Sequence, residues 1–200
     1  MSNIDLLNTV LPSEGYYCIA GIKNGVIDQS FHATREEADN EIAALLAQKQ
    51  DVYFALAKFE TKANRKKENV KLLRSFWIDL DCGEAKAQIN EKTGLPGGYI
   101  DQTTAIQELA RFCELVGLPL PLLVNSGRGI HAYWPLDRDV TREEWEPVGK
   151  RLRQLCMTHK LYVDGSVFEV ARILRVPGTF NFKDDPPNPV EVITLSLIHI

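Results

Sequence analysis

The chain has 200 residues, 44% hydrophobic and 25% charged, with 13 Gly and 10 Pro, a composition that excludes disordered, collagenous and fibrous proteins and leaves room for one full domain with a real core. Lys plus Arg number 23 against 27 Asp plus Glu, a formal net charge of −4, so a basic coat over the whole molecule is excluded and any nucleic-acid contact must be local. The cysteines, Cys18, Cys82, Cys113 and Cys156, form no C-x-x-C pair, which leaves no legible zinc site or disulfide framework, and they read as reduced thiols in or near the core.

The elements follow in chain order. YYCIAGI and VIDQSF, joined through Lys23, Asn24 and Gly25, read as a hairpin over residues 16 to 31. Thr34 with Glu37 makes a capping box, and Ala38, Ile42, Leu45 and Leu46 recur at helical spacing to about Gln50. VYFALAKF at 52 to 59 has the content of a buried strand. The next stretch, 61 to 74, carries six basic residues against one Glu and forms the main basic patch. SFWIDLD at 75 to 81 is again a strand, and the polar, Gly-rich run from 83 to 98 reads as a long loop with one helical turn. Asp101 opens a helix that Gly117 closes. LLVNSGRGIHAYWPL is most simply a hairpin with Ser126, Arg128 and His131 near its tip. A second capping box, Thr141 with Glu144, starts a helix through Cys156. LYVDG, ARILRVPGTFNF and VEVITL are expected to supply short terminal strands. The alternation predicts an α+β or α/β domain with its sheet under helices.

Three constellations could carry chemistry. Residues two apart on a strand share a face, so Asp79 and Asp81 converge on one spot about 7 Å apart at the Cα level, a spacing suited to hard divalent ions. A two-metal site of that kind needs a further carboxylate. Asp164, after the apolar LYV, is the first candidate and Glu169 the second. In NSGRGIH, glycines 127 and 129 allow close approach of the backbone to a ligand, Ser126 offers a hydroxyl, Arg128 a phosphate-matching fork and His131 an imidazole. Arg172, Arg175 and Lys183 add cations in a short span. Trp77, Tyr133 and Trp134 could stack bases, but strand aromatics favour the core. A paired-histidine nicking centre is set aside, because His32, His131, His159 and His199 include no close pair.

D-x-D after an apolar strand, S-G-x-G-x-H, an apolar residue followed by Asp, and R-x-P-G-T-x-N, in that order, resemble the archaeo-eukaryotic primase superfamily, specifically the primase-polymerase domains of phages, prophages and plasmids. The strand DVYFALAKF and the stretch NRKKENV extend the likeness upstream, so that it covers most of residues 16 to 183. The resemblance implies an N-terminal αβ unit, about residues 1–74, packed on an RRM-like palm, 75–194, with a mixed or antiparallel sheet under helices. It implies that Asp79, Asp81 and Asp164 bind two Mg²⁺ or Mn²⁺ ions and that His131, with Ser126 and Arg128, holds the phosphates of an incoming nucleotide. Arg172 and Arg175, with Asn181 and Lys183, would then lie by the nucleotide or the template-primer backbone. The expected partners are a single-stranded DNA template, a primer and nucleoside triphosphates, with Arg65, Lys66 and Lys67 on the nucleic acid and a replicative helicase in cis or in trans. A noncatalytic DNA-binding module of a replication initiator is the second reading.

The N-terminus lacks the basic start and apolar run of a signal peptide, and no stretch approaches the roughly 18 apolar residues of a membrane span. A cytoplasmic location, in a bacterial host, is therefore expected. The last six residues, LSLIHI, read as an adapter-encoded tail, Leu195 to Ile200, and the native chain is expected to continue beyond the catalytic domain.

Overall fold

The computed structural model describes residues 5–91 and 94–193; the expected tail from 195 lies outside them. Helix α1 (Leu6–Val10) is capped by Asp5, whose carboxylate accepts from Asn8 N. Strands β1 (Tyr17–Lys23) and β2 (Val26–His32) form the expected hairpin. Asn24 and Gly25 both take positive φ at its two-residue turn, the geometry that matches the strands' right-handed twist. Both capping boxes are present, Thr34–Glu37 on α2 (Arg35–Ala47) and Thr141–Glu144 on α5 (Arg142–Thr158).

The apolar run at 52 to 59 is two strands and not one. It bends at the fully buried Leu56, whose N–H donates to Arg172 O. β3 (Asp51–Ala55) stays in one sheet, while β4 (Ala57–Phe59) enters another. Uniform hydrophobicity hides such a bend, because both halves are buried. The basic loop is shorter than expected: a 3₁₀ turn at Lys67–Asn69 ends it, and β5 (Val70–Asp81) already contains Lys71 and Arg74.

Beyond β5, a single turn α3 (Glu84–Ala87) precedes α4 (Gln102–Val116), which Asp101 caps and Gly117 ends in the left-handed conformation. β6 (Leu122–Asn125) and β7 (Gly129–Val140) form the second hairpin. LYVDG is not a strand. The Asp164 side chain caps a 3₁₀ turn at Gly165–Val167 by accepting from Ser166 N, a local bond that competes with a sheet ladder. β8 (Ile173–Arg175), β9 (Phe180–Asn181), β10 (Asn188–Pro189) and β11 (Glu191–Ile193) complete the chain.

Two antiparallel sheets result, of order β2-β1-β3-β8 and β11-β6-β7-β5-β4, beside a β9–β10 ribbon. The fold is α+β, with a curled antiparallel sheet under helices. The sheets trade strands: β4 comes from the N-terminal part, and β8 returns from the C-terminal part to pair with β3. The division expected near residue 74 thus falls inside β5.

Alternation along β5 sorts its side chains into two cores. Trp77 joins Ile19, Phe54, Tyr133 and Leu174 in one, and Ile78 and Leu80 join Leu109, Phe112, Ile130 and Cys156 of the other, where α4 and α5 pack. Trp77 and Tyr133 are core residues, as expected, and Trp134 is also buried, its indole N–H donating to Pro119 O. All four cysteines are free, Cys82 half-buried and the others buried. Among the described residues no helix is long and apolar enough to cross a membrane.

Candidate active site

Because Ile78 and Leu80 are committed to the core under the helices, Asp79 and Asp81 point from the opposite face of β5. Antiparallel register sets Asp79 against His131 and Asp81 against Gly129, with His131 Nε2 3.8 Å from Asp79 Oδ1. Gly129 is required there, since a Cβ on it would lie 2.4 Å from Leu80 O. Gly127, at φ +89°, brings the hairpin tip against Asn181, where a Cβ would come within 2.7 Å of that residue's own. The close approach read from the two glycines is therefore to neighbouring protein segments.

The third acid arrives on the irregular segment before the 3₁₀ turn. Asp164 N donates to Asp79 O at 2.9 Å, which holds it beside β5. Glu169, the alternative, lines a separate groove with Trp145 and Lys150. A cleft of about 940 Å³ collects Asp79, Asp81, Asp164 and His131. Its walls also carry Ser126 and Arg128 from the hairpin, Arg172 and Arg175 around β8, and Asn181 and Lys183 beyond it. Arg65, Lys66 and Lys67 lie outside this cleft, in the groove with Glu169, of about 630 Å³. Arg65 is tied down there, donating to Ala171 O and, at 3.3 Å, to Gln29 Oε1.

Burial pushes the Asp79 carboxyl up to about 7, the charges of Asp81 and Asp164 adding to the rise and Arg172 opposing it. Burial, followed by Arg175 and Arg172, drives the His131 imidazole down to about 3, so it is neutral. The Tyr133 hydroxyl lies 3.3 Å from His131 Nδ1. Burial and Asp79 push this phenol well above its ordinary value. A phenol that keeps its proton donates to Nδ1, and on that hydrogen-bond logic Nε2 carries the hydrogen facing Asp79.

The other carboxylates have internal partners. Asp81 Oδ2 is 2.7 Å from Lys86 Nζ. Asp164 accepts from Ser166 N and Oγ and from Arg172 Nη2 at 2.5 Å. For Asp164 burial acts to raise the carboxyl, but the Ser166 bonds and Arg172 outweigh it and hold it below the usual range. Arg128 donates Nε–H to Asp184 Oδ2 at 2.8 Å, and its Nη2 also reaches Asp184 Oδ1. Two buried guanidinium nitrogens, Arg172 Nε and Arg175 Nη1, make no hydrogen bond, although donors in such positions normally find an acceptor.

All-oxygen donors on one face suit a hard divalent cation in kind. A cation there would also offset the burial and the mutual repulsion that together raise Asp79. Convergence is incomplete, however. Among the described residues no three His, Cys, Asp or Glu side chains stand close enough to share an ion, and Asp81 and Asp164 are paired with Lys86 and Arg172.

Several residues of the cleft carried no sequence signal. Tyr53, Lys86, Asp101 and Gln102 line it, and Gln102 Nε2 donates to Asn125 Oδ1 at 2.7 Å, pinning the hairpin to α4. Asp51, paired with Arg175 at 2.8 Å, was visible only as an acid at the head of an apolar run.

No protein-family model matches the chain. A replication protein of Clostridium perfringens is 27% identical over 168 residues, covering 81% of this chain and 37% of that one. The chain therefore spans little more than a third of that relative's length. Among solved structures, the AEP domain of the cyanophage S-2L primase-polymerase superposes with a TM-score of 0.58 at 14% identity, over 90% of this chain and 81% of the other. The primase RepB' gives 0.57 at 14% identity, over 94% and 53%. The catalytic domain of that primase in complex with initiator DNA gives 0.55 at 16%, over 90% and 77%. The fold is that of an AEP-type primase-polymerase domain, as the motif order led us to expect.

Proposed function

We propose that the chain is the catalytic domain of a DNA primase-polymerase, a template-directed nucleotidyltransferase of a phage or other mobile-element replication system. The observation that carries this reading is the meeting, in one cleft, of three carboxylates with His131 and the two guanidinium groups of Arg172 and Arg175. Acids and cations on opposing walls are what a metal-bound triphosphate requires. Asp79, Asp81 and Asp164 would hold the ions, two Mg²⁺ or Mn²⁺, which when bound supply charge to the phosphates and acidify the attacking hydroxyl.

The chain's own groups do the rest. Arg172 and Arg175 line the cleft as cations for phosphate oxygens, and Arg128 can join them by exchanging Asp184 for a phosphate. Neutral His131 donates from Nε2 without placing a further positive charge beside Asp79. Asn181 and Lys183 flank the mouth, where template or primer backbone would pass. Lys66 and Lys67, in the separate groove, would take a more distant stretch of single-stranded DNA. A helicase, in cis or in trans, would supply the unwound template.

The test is nucleotide incorporation by the purified chain on a single-stranded template, with and without a primer, in Mg²⁺ or Mn²⁺, beside Asp79→Ala and His131→Ala. Incorporation by the wild type, lost in both variants, is the expected result. A folded wild type that binds DNA and incorporates nothing would instead favour a noncatalytic binding module.

A further inference from the structure

We infer that Asp51, which heads the strand DVYFALAKF and has no role assigned to it by the sequence, is a positioning residue that presets the Arg175 guanidinium for a nucleoside triphosphate; this rests on the proposed function and adds a residue to it. Asp51 opens β3 and is 7% exposed, and Arg175, on β8, is 5% exposed. A carboxylate so buried is costly unless it is paired and hydrogen-bonded. Both of its oxygens are engaged. Oδ1 accepts from Phe182 N at 2.8 Å and stands 2.8 Å from Arg175 Nη1, and Oδ2 accepts from Arg175 Nη2 at 3.4 Å.

The same guanidinium is held from a second side. Tyr53, two residues after Asp51 on the same face of β3, is the register partner of Arg175, and its ring lies 4.7 Å from Arg175 Cζ. Carboxylate and ring together fix the plane of the fork. Nη1, 2.8 Å from Asp51 Oδ1 but out of hydrogen-bond alignment, is itself shut off from solvent, so the carboxylate anchors that end of the fork by charge while Arg175 lines the cleft. Through Phe182 N, Asp51 also fixes the strap carrying Asn181 and Lys183, which Asn181 Nδ2 ties to the hairpin by donating to Ser126 O at 3.2 Å.

A buried ion pair is weak evidence of a stabilising role, since apolar replacements of similar volume are often neutral. Pre-orientation of a phosphate-binding fork is a different matter, because it removes the cost of ordering a long side chain when the ligand arrives.

The experiment is equilibrium titration of a fluorescent nucleoside triphosphate with Mg²⁺ and without DNA, so that no turnover occurs. It compares wild type, Asp51→Asn, Arg175→Ala and the double variant, with melting temperature and DNA affinity measured in parallel. Asn keeps an acceptor for Phe182 N but removes the charge facing Arg175 and replaces Oδ2 with an amide NH₂ that cannot accept from Arg175 Nη2. Asp51→Asn is expected to weaken triphosphate binding about tenfold while DNA affinity stays unchanged. The double variant is expected to bind no more weakly than Arg175→Ala alone. If Asp51→Asn does not fold, Asp51→Ser, which also removes the charge facing Arg175, is read against the same wild-type and Arg175→Ala values and decides the matter in the same way. Wild-type affinity in Asp51→Asn, losses that multiply in the double variant, or a parallel loss of DNA affinity would overturn the role of Asp51 while leaving the nucleotide site intact. Absence of triphosphate binding by the wild type would instead overturn the nucleotide reading, and the role of Asp51 with it.

Discussion

At the scale of residues, the fold strains one carboxyl in a measurable way. Asp79 titrates near 3.8 when unfolded and near 7 in the native cleft, so the native state disfavours its ionised form. Well below 3.8 the group is protonated in both states and costs nothing; the penalty grows as pH rises above 3.8 and is complete once pH has passed 7. His131 acts in the opposite direction: neutral when native and held down to about 3, its contribution is complete above about 6.5 and is lost as pH falls toward 3. In EDTA, Asp79→Asn should therefore melt above wild type by about 2 to 8 °C at pH 8.5 and by about a quarter of that at pH 4.5, the larger shift corresponding to about 1–3 kcal/mol after discounting for the partly exposed side chain. Equal melting at both values would contradict the strain. Excess Mn²⁺ should raise the wild-type melting temperature and leave Asp79→Asn nearly unmoved. The Asp79–Asp81 pair was legible because period-two alternation is local. Asp51 and Lys86 were not, because their importance lies in contacts with β8 and with Asp81 that no spacing encodes.

At the scale of elements, what is local was readable and what depends on neighbours was not. Thr34, Asp101 and Thr141 each accept from a backbone N–H three residues on, a bond written within four residues of sequence, and the helices they start were foreseen. The bend at Leu56 and the loss of LYVDG to a capped 3₁₀ turn were not, since the first depends on which sheet receives each half and the second on an Asp164–Ser166 bond outcompeting strand pairing. The hairpin at 122–140 was readable through its glycines, and one of them gives a test. An Ala at Gly129 would place its Cβ 2.4 Å from Leu80 O, a clash with backbone that cannot move aside. Gly129→Ala should cost about 1–3 kcal/mol in a denaturant titration. At Gly97 a Cβ would meet nothing nearer than 3.8 Å, and Gly97→Ala should stay within about 0.5 kcal/mol of wild type. Equal stability of the two variants would show that the close approach of β7 to β5 is misplaced.

At the scale of the molecule, the exchange of strands binds the two sheets into one cooperative unit. A fragment of residues 1–74 keeps the short β4–β5 pairing but loses β8 from beside β3 and β7 from beside β5, so each of its sheets is left with an unpaired edge. Such a fragment should show no cooperative melt by circular dichroism, whereas the whole chain should unfold in a single transition. The family resemblance was legible at this scale because four short motifs fell in a particular order. The placement of the basic segment was not, because its distance from the cleft is set by how α5 packs and by the bond from Arg65 to Ala171. The central claim is that Asp79, Asp81 and Asp164 form one catalytic centre, and the most direct measurement is primer extension by three single alanine variants of these residues beside Glu169→Ala. We expect each of the three to fold and to lose incorporation by at least about a thousandfold, and Glu169→Ala to extend like wild type. Extension by Asp164→Ala together with its loss in Glu169→Ala would contradict the assignment.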